Sequence, residues 1–410
     1  LNRCGERAFK ARQRRVNLKQ IELESPKESM KILQVVHGFP PARRLGTEIY
    51  VYALCKELSK RNEVHVLYPV SQGNKRGLNS FRRENLEIHE LNVPPNFLWA
   101  ISRATNFKST YKSRYVESAF KQLLDTITPD IIHFQHLINL SASLIDIAQQ
   151  RRIPINVTLH DFWFICPLIN LLKPDFSLCS GPDDSGRNCF QCWNWERAVV
   201  ISNLLAKYHL RSVTPAGILG TIRKVRNPPH SFIERAEYMR SLLLEADRII
   251  APSRFLMDIF LKYGVPREKI VYIAKGFDLS LFENYDSFRP SLNKLSGKLV
   301  LGFVGGTGIY KGFNVLIEAF NKLKGEDAEL RIYGNYDPLS KEFADARSRI
   351  INPNIKFMGR YDDVRQPYSE IDVLIFPSIC YENRPLVITE SIITRTTVIA
   401  SNLARFEAIT

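Results

Sequence analysis

Two carboxylates, Glu382 and Glu390, stand with seven residues between them in the segment Tyr381-Glu-Asn-Arg-Pro-Leu-Val-Ile-Thr-Glu390. The apolar run Ile371–Ser378 before it predicts a buried strand, and Leu386–Ile393 predicts a helix packed on a sheet. Glu382 would then lie in a strand-to-helix loop, with Glu390 about two turns into the helix. Ligands of open α/β sheets bind beyond the carboxyl ends of the strands, and a helix start offers free N–H groups to phosphate. Alternatively, Glu382 and Glu390 are two solvated acids without a ligand, since acidic residues are favoured near a helix start in any case.

The composition is that of a globular protein with room for two sizeable domains. The chain has 410 residues, of which 45% are hydrophobic and 11% aromatic, which excludes a disordered chain. Lysine and arginine number 57 against 42 acidic residues, so the net charge is +15 and the pI is near 9.5. That excess suits anionic partners such as nucleotide diphosphates, acidic lipid surfaces or nucleic acid.

The sequence shows neither a membrane span nor a secretory signal. No stretch approaches the roughly 18 uninterrupted apolar residues of a span, and the seven cysteines do not make a disulfide scaffold in a chain this long. Residues 1–29 are expected to be a disordered basic extension, because seven bases and one acid lie between Arg3 and Lys19. We expect a cytoplasmic protein, with peripheral contact at the inner face of the membrane left open.

Alternating strands and helices predict an α/β fold with two Rossmann-like parallel-sheet domains, the first over residues 30–285. The apolar run Ile32–His37 predicts its first strand, and Leu45–Glu48 opens a helix for which Thr47 is the expected cap. Later strands of this domain are predicted over Val64–Val70, Pro129–His136, Ile153–Leu159 and, as the last one, Ala246–Ser253.

The second domain is predicted over residues 296–410. It opens with the buried strand Leu299–Val304, followed by the glycine-rich turn Gly305–Gly308 and by Lys311 near a helix start. Such a turn lets backbone approach a diphosphate, and the lysine can place a positive charge on it. Further strands are predicted over Leu330–Tyr333, Ile355–Met358, Val373–Phe376 and Thr397–Ala400. Because the sequence stops at Thr410, we expect this domain to be truncated.

Four cysteines form a cluster in a loop rich in glycine, proline and aspartate. Cys166, Cys179, Cys189 and Cys192 have 12, 9 and 2 residues between them. Four thiols that end in a Cys-x-x-Cys pair favour a tetrahedral structural zinc site, because a metal can hold an irregular loop that has little core of its own. Four reduced cysteines partly packed in the core explain the pattern equally well.

The motifs resemble those of retaining glycosyltransferases of family 4, which have the GT-B fold. Pro377-Ser-Ile-Cys-Tyr-Glu-Asn-Arg-Pro-Leu-Val-Ile-Thr-Glu390 is similar to that family's Glu-x7-Glu signature. Thr158-Leu-His-Asp-Phe-Trp-Phe-Ile-Cys-Pro167 is similar to its "T-x-HD-x-W…CP" segment, and residues 302–312 are similar to its "VGR…KG". The resemblance therefore implies two Rossmann-like domains that face a cleft.

The chain also departs from the family's usual sequence pattern at three positions. Gly306 stands where an arginine is usual, Leu45 where a glycine is usual, and Lys275 where an asparagine is usual. The cysteine-bearing insertion resembles that of a subset of the family. The missing arginine leaves Lys311, the helix start and Arg384 to balance the charge of a diphosphate.

The resemblance implies that a sugar is transferred from a UDP- or GDP-sugar to a glycan or lipid-linked acceptor, with retention of anomeric configuration. Glu390 would accept hydrogen bonds from the ribose, Glu382 would stabilise oxocarbenium-like charge, and His160 would contact the sugar. Donor-binding positions would be Gly46, Gly305, Gly306, Lys311, Arg384, Pro385, Leu386 and Glu390. Because the helix start near Leu386 and Lys311 would hold the diphosphate, no metal cofactor is expected for catalysis. Any zinc would be structural only.

Three other functions remain open. A nucleotide-sugar epimerase of the same fold would use similar phosphate and ribose contacts. A non-catalytic relative that binds glycans or protein partners is compatible with Gly306 and an early end of the chain. A zinc-bearing nucleic-acid binder would explain the charge and the cysteines but leaves Glu382 and Glu390 unexplained, so we expect no nucleic-acid partner.

Overall fold

Two predominantly parallel sheets with helices on their faces form the part of the chain that the computed structural model describes. The described residues are 29–72, 76–93, 106–196, 229–288, 297–323, 327–336 and 341–403. The predicted basic extension, apart from its last residue, and residues 404–410 lie outside the described residues.

The first sheet has eight strands in the order β3-β4-β2-β1-β5-β6-β7-β8 within the described chain. Its neighbouring strands are parallel except for β3, which runs antiparallel to β4 at one edge. The strands are Lys31–Val35 (β1), Glu63–Val70 (β2), Gly77–Arg83 (β3), Leu86–Asn92 (β4), Ile131–Phe134 (β5), Ile155–Thr158 (β6), Arg248–Ala251 (β7) and Ile270–Tyr272 (β8).

The second sheet has five parallel strands in the order β11-β10-β9-β12-β13 within the described chain. They are Leu299–Val304 (β9), Ala328–Tyr333 (β10), Ile355–Gly359 (β11), Val373–Phe376 (β12) and Thr397–Ala400 (β13). These are the strands that the sequence predicts for the second domain, with shifts of one or two residues at the ends of β10 and β11.

Amphipathic helices cover the sheets. In the helix Arg114–Ile127, Ser113 caps the first turn and Val116, Phe120 and Leu123 are buried at helical spacing. The helices are α1 (Gly46–Leu58), α2 (Arg114–Ile127), α3 (Leu144–Gln150), α4 (His230–Glu245), α5 (Arg254–Lys262), α6 (Tyr285–Phe288), α7 (Phe313–Asn321), α8 (Lys341–Ser348), α9 (Arg365–Ser369) and α10 (Leu386–Ile393). Among the described helices, none combines the length and the apolar character that crossing a membrane requires.

Two details of the first domain differ from the sequence-based expectation. Ala246–Ser253 was expected to contain the last strand, but β8 adds one more strand beyond β7. Thr47 does not cap α1, because the helix already begins at Gly46; Leu45 is the cap residue and makes no side-chain cap bond. The β3–β4 hairpin lies in a stretch for which no strand was predicted.

The strand orders fix where ligands can bind. In the first sheet, the strands that follow β1 are added on one side of it, and β5 then pairs with β1 on the other side. In the second sheet, β10 and β11 are added on one side of β9, and β12 then pairs with β9 on the other side. A crevice opens beyond the carboxyl ends of the strands at such a reversal. The loops after β1, β5, β9 and β12 are therefore the places to look for a site.

Candidate active site

Lys311 and Glu382 meet at the reversal point of the second sheet. Lys311 Nζ donates to Glu382 Oε1 at 2.7 Å, and Ser378 Oγ donates to the same oxygen at 3.0 Å. Burial lowers the pKa of Lys311, but the Glu382 carboxylate outweighs it, so the net effect is a raised pKa. The loop after β9 thus presents a firmly charged ammonium to the carboxylate of the loop after β12.

Gly312 allows these two loops to approach each other. It has φ +73°, and a Cβ at this position would lie 1.8 Å from the carbonyl oxygen of Pro377. Backbone hydrogen bonding continues the contact, since Ile379 N–H donates to the Tyr310 carbonyl at 3.0 Å. A residue with a side chain at position 312 would push the loop of Lys311 away from the loop of Glu382.

Glu390 lies in α10, one turn after the helix start at Leu386 rather than the two turns expected. Its side chain is buried, and the Tyr368 hydroxyl donates a hydrogen bond to Oε2. Burial raises the pKa of Glu390 to about 7, although the Tyr368 hydrogen bond lowers it. The carboxylate is thus kept close to its protonation midpoint at neutral pH, with no basic side chain hydrogen-bonded to it among the described residues.

The start of α10 and the turn after β9 are open to a ligand. Pro385 is the cap residue of α10 and provides no side-chain hydrogen bond to the first turn. Gly305 has φ +146°, and a Cβ at Gly305 or Gly306 would have no heavy-atom neighbour within 4 Å. Arg384 has φ +55°, a strained conformation for a residue with a side chain. Backbone N–H groups at such an uncapped helix start can bind an anion.

His160 lies at the carboxyl end of β6, buried in the first domain. Its Nε2 lies 2.9 Å from Gln135 Oε1, an acceptor, so Nε2 carries the proton and Nδ1 is left as an acceptor. This Nδ1 is buried and has no hydrogen-bond partner within the described chain. Burial lowers the pKa of His160 well below its usual value, which keeps the ring neutral.

Asn383 joins the two halves of the site. Its amide donates to the carbonyl of Leu159 at 3.3 Å and to that of His160 at 3.2 Å, while Ser253 Oγ donates to Asn383 Oδ1 at 2.7 Å. The segment that carries Glu382 is therefore held against the strand end that carries His160.

The starts of α1 and α10 also face each other across the domains. A Cβ built on Gly46 would lie 3.7 Å from Leu386 Cδ1. Neither helix start is capped by a side chain. The predicted positions Gly46 and Leu386 are thus brought together, as are Lys311 and Glu382, whereas Glu390 lies deeper and contacts Tyr368 instead.

Sequence reasoning missed three residues at this site. Tyr368, Asn383 and Lys275 come from separate segments, and their partners lie up to 224 residues away along the chain. Tyr368 carried no signal, whereas Asn383 stands in the Glu-x7-Glu signature and Lys275 is a departure from the family's usual asparagine. The structure places it beside Tyr50 of α1, with its Nζ 5.8 Å from the ring centroid.

All four clustered cysteines line one small cavity in the first domain, with about 20 Å³ of free space. This is roughly the room that one water molecule needs. None of the four forms a disulfide. In the described ranges, however, no three His, Cys, Asp or Glu side chains already converge as a metal site would require. The donor set suits zinc in kind and number, but the four sulfur atoms would have to come closer together to bind it.

Solved structures of glycosyltransferases share this fold. Sucrose-phosphate synthase of Thermosynechococcus elongatus is 17% identical with a TM-score of 0.58, covering 92% of this chain and 82% of that one. Trehalose 6-phosphate synthase of Burkholderia multivorans is 11% identical with a TM-score of 0.56, covering 92% and 84%. HepE of Anabaena is 16% identical with a TM-score of 0.53, covering 91% and 81%. The predicted GT-B architecture of two parallel-sheet α/β domains is confirmed.

Sequence comparison assigns the family. Among curated proteins, none matches this chain by sequence. The family profile described as "Glycosyl transferases group 1" matches residues 298–410, which include Lys311, Glu382 and Glu390. The profile described as "Glycosyltransferase Family 4" matches residues 45–281, more than half of the chain and including His160. This chain therefore belongs to glycosyltransferase family 4.

Proposed function

We propose that this protein transfers a hexosyl group from a nucleotide-sugar to an acceptor hydroxyl with retention of the anomeric configuration. One observation carries the proposal. A single segment, residues 382–390, combines the Lys311-paired Glu382, the uncapped start of α10 and the buried Glu390, and Asn383 holds that segment against His160. A carboxylate, an uncapped helix start and a buried histidine thus meet between the two domains.

The nucleotide half of the donor would lie along α10. Glu390 would accept hydrogen bonds from the ribose hydroxyls, and a buried carboxylate gives such bonds full strength. The diphosphate would occupy the open space at the start of α10, near the backbone of Gly305 and Gly306, with Lys311 close by. This arrangement puts the leaving group where fixed dipoles and an ammonium can stabilise the charge that develops on it.

The sugar would lie between Glu382 and His160. As the bond from C1 to the diphosphate oxygen breaks, positive charge develops on the sugar ring, and the Glu382 carboxylate can stabilise it. The buried, unpartnered Nδ1 of His160 can accept a hydrogen bond from a sugar hydroxyl. Since burial keeps this histidine neutral, its role is contact and orientation rather than proton donation.

Two similar structures support a nucleotide-sugar donor. HepE of Anabaena was solved in complex with UDP-glucose, and the catalytic domain of Arabidopsis thaliana starch synthase IV was solved bound to ADP and acarbose. For the acceptor we propose a glycan or a lipid-linked glycan, in keeping with the basic surface implied by a net charge of +15.

Thermal unfolding with UDP, GDP, ADP and their glucose conjugates tests the donor site. A ligand at 100 times its Kd stabilises the folded state by about 2.7 kcal/mol, which a melting curve resolves. We expect one nucleotide series to raise the Tm of the wild type and of Glu382→Gln but not of Glu390→Ala. The bound nucleotide-sugar should then be hydrolysed slowly by the wild type, and NMR should show that the first-formed sugar anomer matches the donor. Glu382→Gln should bind without turnover.

Other results would favour the alternatives. An epimerised sugar nucleotide in the mixture would indicate an epimerase, and the inverted anomer would contradict retention. A Tm shift without turnover, even with glycan acceptors present, would indicate a binding protein. The absence of any shift in a protein that melts cooperatively would contradict the proposal.

A further inference from the structure

Lys275 is a half-buried cation between the two domains that forms no close ion pair or hydrogen bond within the described chain. It follows β8, and its Nζ lies 5.8 Å from the centroid of the Tyr50 ring. Among the described residues, no carboxylate lies within the 4.0 Å of an ion pair, and no hydrogen bond holds the ammonium. A buried charge is stabilised by a close counter-ion, so this position would favour a bound anion.

The electrostatic surroundings of Lys275 come from both domains. Burial lowers the pKa of Lys275 to about 8, the Asp161 and Glu382 carboxylates raise it, and Arg384 lowers it. Asp161 follows β6 of the first domain, whereas Glu382 and Arg384 precede α10 of the second. Lys275 therefore lies near both the loop after β6 and the segment that precedes α10.

Lys311 and Lys275 come from different domains and act on the same carboxylate. Lys311 pairs with Glu382 from within the second domain, and Lys275 interacts with Glu382 from the first domain. The turn that carries Lys311 offers little further charge, because Gly305 and Gly306 have no side chains and face open space. A diphosphate placed beside Glu382 would thus find Lys311 and Arg384 in its own domain and a third cation, Lys275, across the cleft.

We propose that Lys275 is a donor-binding residue that contacts the sugar-linked phosphate of the nucleotide diphosphate from the first domain. This inference rests on the proposed function and names a residue that completes its phosphate site. An ammonium and a phosphate oxygen form a charge-assisted hydrogen bond, which satisfies the otherwise unpaired cation. Donor binding would thereby link the two domains through one lysine from each.

Calorimetric titration at pH 7 tests this inference with UDP, GDP and ADP and with UMP, GMP and AMP. The variants are Lys275→Met, Lys275→Arg, Glu390→Ala and the control Lys60→Met, an exposed lysine of the first domain that pairs with Glu57. For the diphosphate that binds the wild type, we expect Lys275→Met to weaken affinity at least tenfold. Its affinity for the matching monophosphate should change less than threefold, because the terminal phosphate is absent. Lys275→Arg and Lys60→Met should remain within threefold of the wild type for both ligands.

The pH profile provides a second readout between pH 7 and 9. Diphosphate affinity of the wild type should fall as the pH rises through about 8, and that of Lys275→Arg should not. The charged and titratable groups that face Lys275 are Tyr50, His160, Asp161, Glu382 and Arg384. Burial raises the pKa of Tyr50 and lowers that of His160, so both stay neutral across this window.

The outcomes separate this inference from the proposed function. Wild-type binding that Glu390→Ala abolishes and Lys275→Met leaves unchanged would overturn the role of Lys275 alone; an anionic acceptor would then be the ligand to test. An equal loss of mono- and diphosphate affinity in Lys275→Met would also overturn it, because the lysine would then act on the nucleoside or on the fold. If no nucleotide binds the wild type, the proposed function fails and this inference fails with it.

Discussion

At the scale of single residues, we predict from the environment of Glu390 how nucleotide-sugar affinity depends on pH. The pKa of this buried carboxyl is raised to about 7 in the folded protein from an ordinary value of 4.5. A ribose donates hydrogen bonds most strongly to the ionised form. Affinity for a nucleotide-sugar should therefore rise, by at most about tenfold per pH unit, as the pH increases toward 7, and this rise should end between pH 7 and 8, where Lys275 begins to lose its charge.

Glu390→Gln gives the matched control for this pH dependence. The amide has nearly the same shape but does not titrate, so its affinity should be weaker near pH 7 and flat between pH 5 and 7. A nucleotide-sugar is the right ligand because its diphosphate diester does not titrate in this range. A flat profile for the wild-type protein would contradict the role given to Glu390.

The same shift has a consequence for stability. Because the folded-state pKa exceeds the unfolded value, Glu390 stabilises the protein in its protonated form. This contribution is fully present below about pH 4.5 and is lost as the pH rises through about 7. Binding and stability thus depend on the pH in opposite directions at this residue, as expected for an acid that serves a ligand rather than the fold.

How far such residues can be predicted from the sequence depends on how local their partners are. Glu382 and Lys311 stand in recognisable motifs, and the structure pairs them at 2.7 Å. Asn383 lies in the same motif, but its importance comes from carbonyls of the other domain, which only the folded chain brings near. Lys275 is an isolated substitution whose surroundings come from three separate segments, so sequence alone gives its position and not its environment.

At the scale of elements, the second sheet was predicted most closely. Its apolar strands are bounded by glycine and proline, and α10 begins at Leu386 as expected because Pro385 precedes it. The β3–β4 hairpin escaped prediction because its outer strand is largely exposed and lacks a continuous apolar run. Buried parallel strands can be recognised in a sequence by their continuous apolar runs. The formation of an edge hairpin depends instead on the strand that it pairs with.

The backbone contact at Gly312 leads to a prediction about how closely the loops of Lys311 and Glu382 must pack. Gly312→Ala places a Cβ 1.8 Å from the Pro377 carbonyl oxygen and also carries the cost of φ +73°. We expect a loss of unfolding free energy of about 3 kcal/mol or more and a marked loss of nucleotide affinity, because one loop must move. Denaturant unfolding and titration calorimetry measure the two effects.

Gly77→Ala separates the two causes. Gly77 also has a positive φ, +102°, but a Cβ there would meet nothing within 4 Å. It should cost only about 1–2 kcal/mol, the conformational part, and leave nucleotide affinity unchanged. Equal effects of the two substitutions would show that the contact with Pro377 is unimportant.

A second prediction at the scale of elements is that the loop with Cys166, Cys179, Cys189 and Cys192 binds a structural zinc ion. Arg235 is fully buried close to this loop, and in the described chain no carboxylate lies within ion-pair distance of it. Burial lowers the pKa of Arg235, whereas Cys166 and Cys189 are among the groups that raise it. Four thiolates on one zinc carry excess negative charge, which this guanidinium would balance. We therefore propose that the four cysteines bind one zinc ion once their sulfur atoms come closer together.

Metal analysis of the purified protein tests the zinc site. We expect about one zinc per chain, lost in Cys189→Ser and Cys192→Ser with a lower Tm, and kept in Cys55→Ala, which changes a buried cysteine of α1. A protein that contains no zinc and folds equally well in a strong chelator would contradict the site, and four reduced cysteines packed in the core would then be the better interpretation.

At the scale of the whole molecule, Asn383 determines how firmly the two domains stay together. Replacing it by alanine leaves the carbonyls of Leu159 and His160 and the hydroxyl of Ser253 without their partner, at a cost of about 1–3 kcal/mol to the closed arrangement. Asn383→Ala should therefore open the cleft and show a larger radius of gyration by small-angle X-ray scattering. A saturating nucleotide-sugar should reverse the change, because the donor contacts both domains.

Asn321→Ala is the matched control, since among the described residues the Asn321 side chain bonds to the backbone of Arg349, Ile351 and Asn352, all within the second domain. It should lower the Tm without changing the radius of gyration, whereas Asn383→Ala should change the radius more than the Tm. If Asn383→Ala keeps the wild-type radius, the domains are held by other contacts, such as the packing of Tyr381 against Phe162 and Phe255. The two asparagines thus distinguish a bond that stabilises one domain from a bond that sets the geometry between the two.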